Sequence, residues 1–244
     1  MHPFDDRRLI FTAPDKHSAE EFAAIHWVSC AIEAIQRRGA FFVALSGGST
    51  PHAIFQALSS NVFRKTVSWR DVHLFWSDER SVPPDHPDSN YKMAMDSGLD
   101  SLPIPKEHIH RMHAEKGEPA ANEYQKTILK LVPNGIFDLV MLGMGDDGHT
   151  ASLFPHTKAL HEDIKLVTMN FIPSKDTQRM TLTYPCINKS TQIVLYVLGE
   201  SKAPMVAKVL NGPYEPDTYP VQRIGTKTNK ALWVMDKNAS KLLK

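Results

Sequence analysis

The sequence predicts an α/β fold built on a mostly parallel sheet with helices on both faces, and three observations lead there. Short apolar runs of strand length alternate with longer helical patterns along the whole chain, which is how βαβ units read. Runs such as Phe41–Leu45 and Ile136–Leu142 are strongly apolar, as strands covered on both faces must be. No internal repeat or low-complexity linker divides the chain, and the proline-rich stretches Val82-Pro83-Pro84 and Gly212–Pro220 read as surface loops. A single domain over residues 1–244 is therefore expected.

The elements follow in order. Leu9–Phe11 reads as a first strand. Ser18 opens a helix, with Glu21 three residues on as its capping-box partner. That helix runs through Arg38 and stops at Gly39, a residue suited to a left-handed C-terminal turn. Phe41–Leu45 is a buried strand, and Pro51 begins the next helix, where a missing N–H is harmless. Val72–Trp76 follows as a strand, Ala120–Leu131 as a helix and Ile136–Leu142 as a strand. The pattern closes with strands at Met180–Thr183 and Gln192–Leu198, a helix over Ser201–Leu210 and a last strand at Ala231–Met235.

Composition narrows the function. The chain is 42% hydrophobic and 23% charged, an ordinary globular balance. Its 28 Lys+Arg against 27 Asp+Glu leave a formal net charge of +1. That argues against a nucleic-acid partner, which needs a broad basic face, and leaves room for a small basic pocket. Cys30 lies in a helical pattern among apolar neighbours and reads as a buried free thiol; the other cysteine is Cys186. Met1–Arg8 lacks the apolar core of a signal peptide, and no run approaches the roughly 18 apolar residues of a membrane span. A cytoplasmic protein with no membrane partner is the expectation. The 12 histidines are scattered without zinc spacing, and Asp146-Asp147 alone is too little for magnesium, so neither a metal nor another cofactor is expected.

Ligands in such sheets bind beyond the carboxyl ends of the strands, and three loops there are unusual. Ser46-Gly47-Gly48-Ser49-Thr50-Pro51 joins a strand to a helix. Its glycines let the backbone approach a ligand, and free N–H groups at the helix start suit a phosphate. A glycine turn with a Ser/Thr cap would have the same sequence. Ser77-Asp78-Glu79-Arg80 places three charges directly after Val72–Trp76, as a polar site or a solvated loop would. Downstream, Ser89 or Asn90 could cap a helix. Gly143-Met144-Gly145-Asp146-Asp147-Gly148-His149-Thr150-Ala151-Ser152 follows a strongly apolar strand. Three glycines, two aspartates and a histidine suit a constrained backbone holding a general base oriented by a carboxylate. Two cations add to the set. Arg179 precedes the strand Met180–Thr183, and Lys202 falls in the first turn of a helix, where the dipole disfavours a cation unless an anion is held nearby. A plain surface charge is the other reading of each.

These three loops, extended through Leu153-Phe154-Pro155 and joined by Asp88-Ser89-Asn90, Arg179 and the Lys202 segment, closely resemble the 6-phosphogluconolactonases. The resemblance lies within the glucosamine-6-phosphate isomerase/6-phosphogluconolactonase family and spans nearly the whole chain in the same order. It implies a Rossmann-like fold and metal-free hydrolysis of 6-phospho-D-glucono-1,5-lactone to 6-phosphogluconate, in the oxidative pentose phosphate pathway. Carried over by motif, His149 resembles the general base and Asp147 its orienter. Arg179, Lys202 and the loop Gly47, Gly48, Ser49 and Thr50 resemble phosphate ligands, while Asp78 and Arg80 resemble substrate-pocket residues. The related deaminases carry an acidic residue where this chain has Phe154, and typically Tyr where it has Arg80. Both departures favour a lactonase over a deaminase/isomerase-like enzyme; a non-catalytic sugar-phosphate sensor, which could dispense with His149, is a further alternative. The partner implied is a small phosphosugar lactone, and a monomer or weak oligomer is expected.

Overall fold

The computed structural model describes residues 1–243, in which ten strands form two sheets. In chain order they are β1 (His2–Pro3), β2 (Arg8–Ala13), β3 (Phe41–Leu45), β4 (Val72–Trp76), β5 (Asp78–Arg80), β6 (Leu139–Leu142), β7 (Val167–Ile172), β8 (Thr177–Leu182), β9 (Gln192–Val197) and β10 (Ala231–Asp236). The helices are α1 (Lys16–Arg38), α2 (Ser49–Leu58), α3 (Asn61–Arg64), α4 (Asn90–Asp96), α5 (Glu118–Leu131), α6 (Tyr184–Asn188), α7 (Ala203–Asn211) and α8 (Lys237–Ser240).

The main sheet has the order β1-β2-β10-β9-β6-β3-β4. Every pairing in it is parallel except that of the short edge strand β1. All positions of β3, β6 and β10 are buried, as parallel strands covered on both faces require. Helix α1 lies along β2, β10 and β3 and beside α2. Its inward stripe, Ala19, Ala23, Trp27, Ala31 and Ala34, repeats every three or four residues and lets the helix sit close to the sheet. From β3 the chain steps out to the edge strand β4 and returns on the other side of β3 as β6. The order of strands therefore reverses between β3 and β6, where an open parallel sheet leaves a crevice.

Several boundaries differ from the sequence pattern. The cap of α1 is Asp15, whose carboxylate accepts from the Ser18 N–H at 2.8 Å, so Ser18 lies inside the first turn. Gly39 ends the helix at φ 81°, as its position suggests. Helix α2 starts at Ser49, two residues before Pro51, and α5 starts at Glu118. Strand β6 begins only at Leu139. A short 3-10 turn, Glu200–Lys202, precedes α7, so Lys202 sits at the cap of that helix and not within its first turn.

The larger difference is a second sheet, ordered β5-β8-β7 and antiparallel throughout. It takes Asp78–Arg80 out of a loop and aligns them with Thr181–Arg179 of β8. Among the described residues no helix is long and apolar enough to cross a membrane.

Candidate active site

A cleft of about 160 Å³ opens at the reversal point, between the loops that follow β3 and β6. Ser46, Gly47 and Gly48 form one wall, Gly143 to Gly145 and His149 to Ala151 another, and Asp78, Arg80, Asn90 and Arg179 come from β5, α4 and β8.

The wall after β3 depends on a missing side chain. A Cβ on Gly47 would lie 1.9 Å from Oδ1 of Asn90, so only glycine lets the two elements meet. Gly48, at φ 106°, turns the chain into α2. Ser49 is exposed at the first helical position and Thr50 is buried; neither lines the cleft.

Two buried carboxylates fix the third side. Glu79, 2% exposed, accepts from the N–H groups of Arg80, Asn90 and Tyr91, each at 2.8 Å, and from the Ser89 hydroxyl at 3.0 Å. Burial pushes its pKa up, against the opposing pull of those backbone donors. Ser89 caps α4 by accepting from the Lys92 N–H, which leaves the Asn90 side chain free for the cleft. Asp78 accepts from the Ser152 hydroxyl at 2.7 Å and from the Asn90 amide at 3.3 Å. Asn90 also donates to the Asp78 carbonyl at 2.9 Å.

The loop after β6 folds back on itself. Gly145 N–H donates to the His149 carbonyl at 2.9 Å, and Gly148 stands at φ 79°. This brings His149 Nδ1 to 2.5 Å from Asp147 Oδ1. Burial would raise the Asp147 pKa, but the hydrogen bonds and charge of His149 outweigh it and hold the carboxyl below its usual range. The contact with Asp147 occupies Nδ1 and leaves Nε2 as the ring nitrogen without a protein partner. The imidazole lies nearly parallel to the Phe154 ring, 15° apart with centroids 3.9 Å apart. Ala151, just beyond, takes a left-handed φ of 47°, a strain of about 1–2 kcal/mol for a residue with a Cβ.

Arg80 and Arg179 are direct cross-strand partners of β5 and β8. Like charges in that relation repel, and neither forms an ion pair with a carboxylate among the described residues. Arg80 donates to the Asp88 carbonyl at 2.5 Å, Arg179 lies over the Phe154 ring at 5.2 Å, and the Nε of each is buried without a partner. Burial lowers the Arg179 pKa, with the charge of Asp78 opposing the shift. Lys202 stands outside the cleft lining and pairs with Asp146 at 2.6 Å.

The structure thus gathers Gly47, Gly48, Asp78, Arg80, His149 and Arg179 around one space, with Asp147 behind His149. The sequence offered Asn90 only as a possible helix cap, Phe154 only as a departure from the deaminases and Ser152 only as part of a motif. Among the described residues no group of three or more His, Cys, Asp or Glu side chains is placed to hold a metal ion.

Comparison with known proteins places this cleft in context. The family model for glucosamine-6-phosphate isomerases/6-phosphogluconolactonase matches residues 14–233. A 6-phosphogluconolactonase of Chlamydia trachomatis is 43% identical over 239 residues, covering 96% of this chain and 90% of that protein. One of Chlamydia pneumoniae is 40% identical over 233 residues, covering 95% and 89%. The crystal structure of 6-phosphogluconolactonase from Thermotoga maritima superposes with a TM-score of 0.81 at 27% identity, over 95% of this chain and all of that one.

Proposed function

The chain belongs to the glucosamine-6-phosphate isomerase/6-phosphogluconolactonase family, and we propose on that premise that it hydrolyses 6-phospho-D-glucono-1,5-lactone to 6-phospho-D-gluconate. One observation carries the reading: His149, held by Asp147 through Nδ1, lines the same cleft as two arginines without carboxylate partners. Such a site suits a neutral electrophile tethered to an anion.

In this mechanism His149 Nε2 takes a proton from water as the water oxygen bonds to the lactone carbonyl carbon. Asp147 stabilises the imidazolium and fixes the ring's tautomer. The tetrahedral oxyanion is met by donors of the pocket, Arg80 or backbone N–H groups near Gly148. On collapse the bond to the ring oxygen breaks, and the imidazolium returns its proton to that oxygen. The carboxylic acid product then ionises. Arg179, Lys202 and the Gly47-Gly48 backbone hold the phosphate and supply binding energy remote from the reacting carbon. Lys202 must leave Asp146 to do so.

Phe154 supports hydrolysis over isomerisation or deamination. Those reactions move a proton between carbons and need a second acid/base group, and Phe154 puts a hydrocarbon beside the base. Further parts of the reading are one domain over residues 1–244 and a monomer or weak oligomer in the cytoplasm, with no metal, nucleic-acid or membrane partner. A single hydrophobic cluster that draws on both sheets and the balanced net charge support them.

The test is lactone hydrolysis measured above the spontaneous background, with ammonia release from glucosamine 6-phosphate as the control. His149→Asn should slow turnover about 10²–10⁴-fold while phosphate still binds. Full turnover in a well-folded His149→Asn protein would overturn the mechanism, and ammonia release in place of lactone hydrolysis would overturn the reaction.

A further inference from the structure

We infer that Phe154 is a positioning residue that fixes the plane of the general base and the place of the phosphate-holding Arg179 at once; this rests on the reading of those two residues given above. Phe154 is 1% exposed and does not line the cleft, so it acts only through its neighbours. The hydrogen bond to Asp147 sets where His149 Nδ1 lies but leaves the ring able to swing about that contact. The parallel Phe154 ring 3.9 Å away removes that freedom, because any tilt of the imidazole would break the stack or meet the phenyl face. Arg179 has no ion-pair partner to hold it, and the same phenyl ring beneath its guanidinium, at 5.2 Å, is its platform.

The platform is itself anchored. The Phe154 carbonyl accepts from the Thr157 hydroxyl at 2.7 Å. Asn170 of β7 donates to that hydroxyl's oxygen and to the Ser152 carbonyl, both at 2.9 Å. The buried Asn170 thereby ties the turn that carries the ring to the second sheet. One ring on a fixed mount serves two groups, so its loss should have a signature that neither partner's loss shares.

The experiment compares Phe154→Leu, His149→Asn and Arg179→Ala on the phosphorylated lactone and on unphosphorylated gluconolactone. His149→Asn should lower kcat alone, and Arg179→Ala should raise KM for the phosphorylated substrate alone. Phe154→Leu should do both: kcat about ten- to a hundredfold lower on either substrate, and KM about two- to fivefold higher on the phosphorylated one only. An NMR spectrum gives a direct readout of the stack. The His149 ring protons should be shifted upfield by the phenyl ring in the parent and return downfield in Phe154→Leu. Phe154→Met, whose flexible chain fills similar space, replaces the leucine variant if that one does not fold. If His149→Asn keeps its kcat, or Arg179→Ala keeps its KM, the functional reading fails. If both behave as stated while the Phe154 variant alters one parameter or neither, or the upfield shift is missing from the parent, the positioning role is overturned.

Discussion

A methyl group on Gly145 would lie 2.1 Å from both Cε1 and Nδ1 of His149, and 2.8 Å from Asp147 Oδ1. No side chain fits there while the histidine keeps its carboxylate. Gly145→Ala should therefore fold with nearly the parent's stability, since the displaced groups lie in a partly exposed loop. Its turnover should fall by about 10² or more, approaching that of His149→Asn. Background-corrected kcat, melting temperature and phosphate affinity on one preparation check this, and a kcat within twofold of the parent would count against it. The sequence shows three glycines in this loop but not which one the base requires. That depends on a side chain four residues later folding back over the glycine. The loop that carries Asp147 and His149 stood out because glycines, aspartates and a histidine are uncommon directly after an apolar strand, whereas Arg179 was singled out by the family motif alone and lies inside β8. The parts played by Asn90 and Ser152, and the contacts of Phe154 with His149 and Arg179, were not legible, because each depends on a partner brought in by tertiary folding.

The join between β5 and α4 shows the same dependence one level up. Three backbone N–H groups and one hydroxyl converge on the Glu79 carboxylate, holding the strand that carries Asp78 and Arg80 against the helix that carries Asn90. Glu79→Ala would leave those donors buried without an acceptor, at about 1–3 kcal/mol each for the groups that water cannot reach. The variant should melt several degrees below the parent and lose activity in proportion as Asn90 and Arg80 drift. Glu79→Gln keeps one carbonyl oxygen and should fall between the two, so thermal melts of the pair separate lost acceptor capacity from lost charge. Equal melting temperatures for Glu79→Ala and the parent would show that the join carries no stability. The buried parallel strands were legible from their apolar runs, as was the glycine end of α1. The three-stranded sheet was not. β5 is three charged residues long, β7 mixes Thr168 and Asn170 among apolar positions, and the β5–β8 pairing joins segments about a hundred residues apart. No local periodicity can announce such a pairing.

For the molecule as a whole, acid sensitivity should centre on the outer edge of the main sheet. His73 of β4 stacks between Phe42 and His108, and its Nδ1 lies 3.4 Å from Nε2 of His110. Burial, then the neighbouring histidines, lowers both His73 and His110 to about 4, with Asp71 opposing the shift at His73. Folded pKa values below the ordinary 6.5 mean that the unfolded chain binds these protons first. The stability they confer is complete above about pH 6.5 and drains away as pH falls toward 4. Urea midpoints should drop through that window. His73→Phe, which can keep the stack, should flatten the drop, and an unchanged slope would place the sensitivity elsewhere. A second whole-molecule property follows from Arg80 facing Arg179 across β5 and β8. Asp78 offsets part of their repulsion, and an anion between the two guanidinium groups would offset more of it. Inorganic phosphate should raise the melting temperature more than chloride at equal ionic strength, the stabilisation reaching about 2.7 kcal/mol at a hundredfold excess over its Kd, and Arg179→Ala should lose most of that gain. Durability then becomes a function of employment: a copy holding an anion in the cleft should outlast an idle one against a protease, and digestion half-lives with and without inorganic phosphate would show it.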